Sequence, residues 1–317
     1  STFIPLLKAS RPADAIGSYR PVAITALLCR VLERVVHARL TTIVRSKLNQ
    51  NQYGFREGRC TEDPLAFVIA QVQRGFQTPG VKMQQRSPWC RGYRKPAITK
   101  KETLIALVDL SDAFSKVPHA RILERLHTFG VEEYIIAFVR EWLRARKGRV
   151  FFDGLWSDWA ELRAGVPQGS VLGPLLFIIF IDELFVELNA AAERAKQQRH
   201  LEILSVGFAD DITIAVTGVC RTEISAAVRI IFKTLTAWCA LNGMIVSPKT
   251  ALMRCSCNVN APTDDLYPVN GFQVGAHRIL VSEEPHRLLG VMLDSSMDFS
   301  AHRKHVATRY RQDLKKL

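Results

Sequence analysis

Two adjacent aspartates, Asp210 and Asp211, sit between two apolar runs, 204–207 before them and 212–216 after them. The stretch 201–216 therefore reads as two strands joined at the doublet. Taken alone, an acidic doublet of this kind is ordinarily a polar hairpin turn. Two neighbouring carboxylates repel each other, however, and holding them together beside a buried sheet calls for a cation. Magnesium suits a site made of a few carboxylates and the phosphates of a substrate.

A site for two such ions needs a third carboxylate, and Asp109 supplies one. It ends an apolar strand over 103–110, as Asp210 ends another, so both can meet at one edge of a single sheet. The bland alternative is a strand-end aspartate capping the next turn. In the functional reading Asp109 and Asp210 bridge ions about 3.5–4 Å apart, one activating a hydroxyl and one stabilising a leaving pyrophosphate. Upstream of the doublet runs Gly165-Val166-Pro167-Gln168-Gly169-Ser170, followed by Val171-Leu172-Gly173-Pro174. Its glycines and prolines set a bent backbone before a helix, and Gln168 can both donate to and accept from a base or nucleotide. On its own this is a structural loop. Lys8 and Arg20 flank a loop near the start of the chain and could neutralise a triphosphate, although exposed basic residues are usually only solvated.

The remaining sequence sets the frame. The 317 residues suffice for two or three subdomains, and 43 basic against 30 acidic residues leave a formal charge of +13. That excess points to a polyanionic partner, nucleic acid or an acidic membrane face. The longest apolar run, 171–181, is broken by Gly173 and Pro174 and is too short to span a bilayer. Seven scattered cysteines give no disulfide framework or zinc pattern, which fits an intracellular reducing compartment and a protein that is not secreted. The chain starts at Ser1 and reads as a piece of something longer. Residues 3–7 are strand-like. Leu27, Leu28, Val31, Leu32, Val35 and Val36 recur at helical spacing with a basic outer face of Arg30, Arg34 and Arg39. Helices are expected over 62–76, 121–146, 223–241 and 302–316, a hairpin around Asp153-Gly154, and strands over 287–293. The basic, aromatic stretch 81–101 reads as a solvated loop, or else as a nucleic-acid contact.

Order and spacing together resemble the reverse transcriptase of non-LTR (LINE-type) retrotransposons. The matching segments are Ser18-Tyr19-Arg20-Pro21, Gln52-Tyr53-Gly54-Phe55-Arg56, Val108-Asp109-Leu110-Ser111-Asp112-Ala113-Phe114, 165–174, Phe208-Ala209-Asp210-Asp211, Asn242-Gly243 with Lys249, and His286-Arg287-Leu288-Leu289-Gly290. Ile4-Pro5-Leu6-Leu7-Lys8 and residues 19–24 are similar to the ingi-like elements of trypanosomatids. One departure is Ser115, where many relatives carry aspartate after the aromatic residue.

The resemblance implies an α/β (α+β) right-hand polymerase fold with fingers, an antiparallel-sheet palm and a partial thumb. Residues 1–100 would form fingers, 101–295 the palm with a finger-side helical insertion at about 120–160, and 296–317 the start of a truncated thumb. Asp109, Asp210 and Asp211 would be metal ligands, joined by the carbonyl of Leu110. Phe114, beside Ala113, would block a ribose 2′-hydroxyl. Gln168 would lie beside the incoming nucleotide, Arg20 and Lys8 near its phosphates, and Lys249 would protonate pyrophosphate. The implied reaction is RNA-directed DNA synthesis with two Mg2+ ions, Mn2+ as a substitute, and deoxynucleotide substrates. The implied partners are an RNA template, a DNA primer or target, and the endonuclease and thumb regions of a parent polyprotein, with no membrane; the implied location is the nucleus. The rival readings are a decayed relic that only binds RNA, and a domesticated polymerase of telomerase-like or intron-maturase type.

Overall fold

The computed structural model describes residues 1–8, 11–77, 79–82, 97–144, 146–197, 200–257, 267–268 and 270–314. Of the basic stretch 81–101, residues 83–96 lie outside the described residues, and with them Arg86, Trp89, Arg91, Tyr93, Arg94 and Lys95. The chain begins with β1 (Thr2–Leu7), β2 (Tyr19–Ile24), α1 (Leu27–Val44), α2 (Glu62–Gln77), β3 (Pro79–Lys82), β4 (Ala97–Lys100) and β5 (Glu102–Val108). It continues through α3 (Ala113–Lys116), α4 (His119–Thr128), α5 (Glu133–Leu143), β6 (Lys147–Phe152), β7 (Leu155–Trp156), β8 (Ala160–Glu161) and α6 (Gly173–Lys196). Then come β9 (Glu202–Phe208), β10 (Asp211–Gly218), α7 (Arg221–Leu241) and β11 (Ala251–Cys255). Short strands follow, β12 (Phe272–Val274), β13 (His277–Ile279), β14 (Val281–Ser282), β15 (His286–Leu288) and β16 (Val291–Leu293), before α8 (Ser300–Leu314).

The central sheet has the order β14-β11-β5-β10-β9. Its four long strands pair antiparallel, and only β14 runs parallel to its neighbour. Both faces are covered. Leu104, Ala106 and Val108 of β5, with Ile212, Ile214 and Val216 of β10, enter the core beneath α6 and α7. Ile105 and Ala215 face the other way, into a second core with Val68 and Val72 of α2 and Leu288 and Leu293 of the β15-β16 hairpin. That is why β5 reads as a continuous apolar run, not as an alternating strand. By length and composition α7 could cross a membrane, but Ile224, Ala227, Val228, Ile231, Phe232, Leu235 and Trp238 are buried in the first core.

A second sheet, β2-β1-β6-β7 with β8 on β6, stands beside it. Here β1 pairs antiparallel with β2 and parallel with β6, joining the start of the chain to residues 147–152. Asp153 and Gly154 close the β6-β7 hairpin with φ of 48° and 77°, the left-handed pair that a two-residue hairpin turn favours. The helix expected over 121–146 is two helices. Gly130, at φ 66°, ends α4: its N–H donates to the His127 carbonyl and that of Val131 to Leu126, a left-handed cap that turns the chain into α5. The expected apolar face of α1 is also corrected. Leu27, Leu28, Val31, Leu32 and Val35 are exposed, and the helix reaches the interior through Glu33 and, in its second half, through Leu40 and Val44.

Candidate active site

The β9-β10 hairpin turns more tightly than its sequence suggests. Phe208 pairs with Asp211, so the loop is Ala209-Asp210 and Asp211 already belongs to β10. Ala209 takes φ 58°, a conformation more suited to glycine. Val108, the last residue of the neighbouring strand β5, pairs with Ile212, so Asp109 emerges beside the doublet. The loop after α7 wraps the Asp109 backbone. Thr250 Oγ1 accepts the Asp109 N–H at 3.2 Å, and the Ser247 N–H donates to the Asp109 carbonyl at 2.8 Å.

Electrostatics tie the three carboxylates together. Burial, then the neighbouring Asp109, holds Asp210 above the usual carboxylate range, partly offset by its own backbone and by Arg20. Asp211 is pushed up to about 6 by burial, by Asp210 and by Asp109. Among the described residues no ion pair neutralises any of the three, and no donor engages the Leu110 carbonyl. A crowded, uncompensated set of hard oxygen donors fits a divalent cation. The described residues hold no group of three or more His, Cys, Asp or Glu side chains close enough to enclose a metal alone. Water, and substrate oxygens where present, would complete the shell of an ion held there.

The facing wall is built from β2 and the 165–174 loop. The Ala23 N–H donates to the Gln168 carbonyl at 2.6 Å, and a side chain at Gly169 (φ 106°) would lie 2.6 Å from the Ala23 carbonyl oxygen. This close approach docks the loop on β2, the strand that carries Arg20. The other end of the loop is tied to the segment after Asp109: the Val166 N–H donates to Phe114 and the Gly165 N–H to Val117, both at 2.8 Å. Glu33 of α1, fully buried, accepts the N–H groups of Val171 at 2.6 Å and Leu172 at 3.2 Å and the Trp142 indole N–H at 3.1 Å. It anchors the start of α6, where a carboxylate meets the positive end of the helix.

Ala113 and Phe114 are buried at the start of α3. The Phe114 ring stacks on Phe177 at 4.2 Å and meets the edge of Phe55 at 6.0 Å. Lys8 and Lys249 stand apart: the Lys8 ammonium donates to the Gly17 carbonyl at 3.0 Å, Lys249 is exposed, and neither is among the charges acting on Asp210 and Asp211. Three positioning residues had no role assigned from sequence, Thr250, Glu33 and Gln52, although Gln52 stands in a segment that matches the family. Their partners lie more than a hundred residues away, and only burial of a polar side chain marks them.

An acidic sheet edge facing a strand that carries an arginine is an arrangement that suits phosphoryl chemistry on a nucleotide. The chain belongs to the reverse transcriptase (RNA-dependent DNA polymerase) family, whose profile matches residues 7–293. It is 25% identical over 313 residues to the probable RNA-directed DNA polymerase from transposon BS of Drosophila melanogaster, spanning 98% of this chain and 31% of that protein. It is equally 25% identical, over 320 residues, to the RNA-directed DNA polymerase from mobile element jockey of Drosophila funebris, again 31% of the relative's length. The chain thus spans under a third of these non-LTR relatives. In fold it is similar to telomerase from Candida tropicalis, truncated from its C-terminal domain (TM-score 0.54, 10% identity, 89% of this chain and 52% of that one). Telomerase from Candida albicans gives the same TM-score at 12% identity, covering 94% of this chain and 46% of that one.

Proposed function

We propose that this chain is the polymerase core of a non-LTR retrotransposon protein, extending a DNA primer with deoxynucleotides on an RNA template in the nucleus. The observation that carries the reading is the convergence of Asp109, Asp210 and Asp211 at one sheet edge without an ion-pair partner, under the charge of Arg20. When bound there, divalent metal supplies charge neutralisation for a phosphoryl group and its leaving pyrophosphate. Asp109 and Asp210 would hold it, with Asp211 and the Leu110 carbonyl as neighbouring donors. Mg2+ is the expected ion, in a pair, with Mn2+ as a substitute.

The rest falls to the chain's own side chains. Arg20 attracts the triphosphate toward the acidic edge, and Lys8 stiffens the loop beside it. Gln168, on a loop fixed at both ends, positions the base or sugar. Phe114, locked between Phe177 and Phe55, sets the floor where a 2′-hydroxyl would press. Lys249, on the loop that wraps Asp109, is the proton donor candidate for pyrophosphate. Residues 1–100, 101–295 and 296–317 would serve as fingers, palm and the start of a thumb, although α2 packs on the same sheet as Asp109. Endonuclease and thumb regions of a parent protein would supply the nick and the rest of the grip.

Primer extension on an RNA template with deoxynucleotides and Mg2+ tests this. Wild type is expected to extend, and Asp210→Ala to fall to background. Wild type at the same background would leave a relic that only binds RNA.

A further inference from the structure

The turn that carries Asp210 is held from outside by one side chain. Gln52 is fully buried, and its carboxamide engages both peptide groups that flank Ala209. Its Oε1 accepts the Ala209 N–H at 2.9 Å, and its Nε2 donates to the Ala209 carbonyl at 3.1 Å. The same Oε1 accepts the Gly54 N–H at 2.8 Å, which ties the amide to its own loop. The loop is in turn fixed to the free edge of β9: the Tyr53 N–H donates to the Gly207 carbonyl and the Gly207 N–H to the Asn51 carbonyl, each at 2.8 Å. Gly54 lies so close that a Cβ there would sit 2.2 Å from the Ala209 nitrogen.

These bonds have a geometric consequence. The Ala209 N–H belongs to the peptide plane before that residue and its carbonyl to the plane after it. Fixing both planes fixes φ and ψ of Ala209, and the second plane leads directly into Asp210. Ala209 needs this restraint, because φ 58° is unfavourable for a residue with a Cβ. In a free two-residue hairpin loop those polar groups would be met by water.

We infer that Gln52 is a positioning residue for the acidic turn: it holds Ala209 in its left-handed conformation so that Asp210 is aimed at the metal before metal or substrate arrives. The inference rests on the proposed polymerase function. It assigns the Gln52-Tyr53-Gly54 segment a role in metal affinity and turnover, not in holding substrate.

Gln52→Met tests it, since methionine fills the same volume without the three hydrogen bonds. Mn2+ binding is read by electron paramagnetic resonance on the protein alone, with no substrate, and kcat and the nucleotide KM are read by primer extension. Loss of such a supporting contact is expected to weaken Mn2+ binding and kcat by about 10- to 100-fold. The nucleotide KM should hold within a factor of about three, the split that loss of aim without loss of binding predicts. Adding Ala209→Gly, which removes the penalty on positive φ, is expected to recover part of both losses; a general packing defect would not respond to it. Gln52→Met that binds Mn2+ and turns over like wild type overturns the inference, as does a loss that only tracks the unfolded fraction by circular dichroism. If Gln52→Met does not fold, Gly54→Ser with wild-type Mn2+ affinity in its folded fraction overturns it equally. A wild type that neither binds Mn2+ nor extends a primer removes the polymerase reading and this inference together, whereas an active wild type matched by Gln52→Met removes the inference alone.

Discussion

At the scale of single residues, the acidic edge is built against its own stability. Asp211 has a carboxyl raised to about 6, first by burial and then by Asp210 and Asp109, and Asp210 is raised in the same direction. The ionised form is disfavoured in the folded state relative to the unfolded chain. The penalty is therefore absent below the ordinary aspartate range, grows as pH rises toward about 6, and is complete above it. Because Asp211 is open to solvent on one side, screening discounts the size, and the sign is what matters. Metal-free Asp211→Asn should melt at higher temperature than wild type at pH 7.5, with the gap closing by pH 4. Saturating Mg2+ should narrow the gap, because the wild type, with all three carboxylates, gains more from the ion than the variant, which keeps only Asp109 and Asp210. A thermal melt at two pH values, with and without Mg2+, reads both.

Phe114 offers a second residue-scale outcome. Its ring cannot swing away, because Phe177 stacks on it and Phe55 meets its edge. Phe114→Val should ease ribonucleotide incorporation by about 10- to 100-fold, the range that a single apolar group gives in discrimination. Competing deoxynucleotide and ribonucleotide in single-turnover extension measures it. An unchanged ratio would return Phe114 to the core. The place of the three aspartates at one sheet edge was legible because each lies beside an apolar run, which is visible in a short window. Gln52 was not: its meaning depends on Ala209, 157 positions away.

At the scale of elements, the strands read better than the helices. Residues 104–108 announce themselves by unbroken apolar character and 201–216 by two largely apolar runs, and both faces of the paired strands β5 and β10 are buried. The helical stretch 121–146 misled because its apolar period continues across the break. Gly130 alone carried the signal, and a lone glycine inside a periodic run is weak punctuation. The face of α1 misled for the opposite reason. Periodicity identifies an apolar stripe but not whether anything packs on it, and here Leu27, Leu28, Val31, Leu32 and Val35 remain open. The same helix carries Glu33 inward. Glu33→Ala would leave the Val171 and Leu172 N–H groups without a partner in a buried setting, a loss of about 3 kcal/mol. Urea unfolding should show that drop in midpoint. Because the affected loop carries Gln168, the nucleotide KM should rise in the fraction that still folds.

At the scale of the whole molecule, the basic excess is uneven along the chain. The excess of +13 is spread over both ends of the chain. Helix α8 is the extreme case: none of its residues is buried, and it carries Arg303, Lys304, Arg309 and Arg311. A helix with so little apolar anchorage gains little from the core, and its basic side chains stand exposed where a ligand could meet them. If α8 lies along a nucleic-acid strand, each phosphate it neutralises releases bound counterions. Single-stranded RNA affinity should then fall linearly on a log–log plot against salt, with about 0.7 of slope for each contact. Replacing Arg303, Arg309 and Arg311 together by alanine should lower the slope by about 2. The folded core should be unaffected, since exposed side chains away from it contribute little to stability. Fluorescence anisotropy of a labelled RNA across a salt series measures the slope. A triple variant with the wild-type slope would place the phosphate contacts on other basic residues of the chain. A reduced slope with unchanged Mn2+ affinity would separate the grip on the strand, made at the end of the chain, from the chemistry held at the sheet edge.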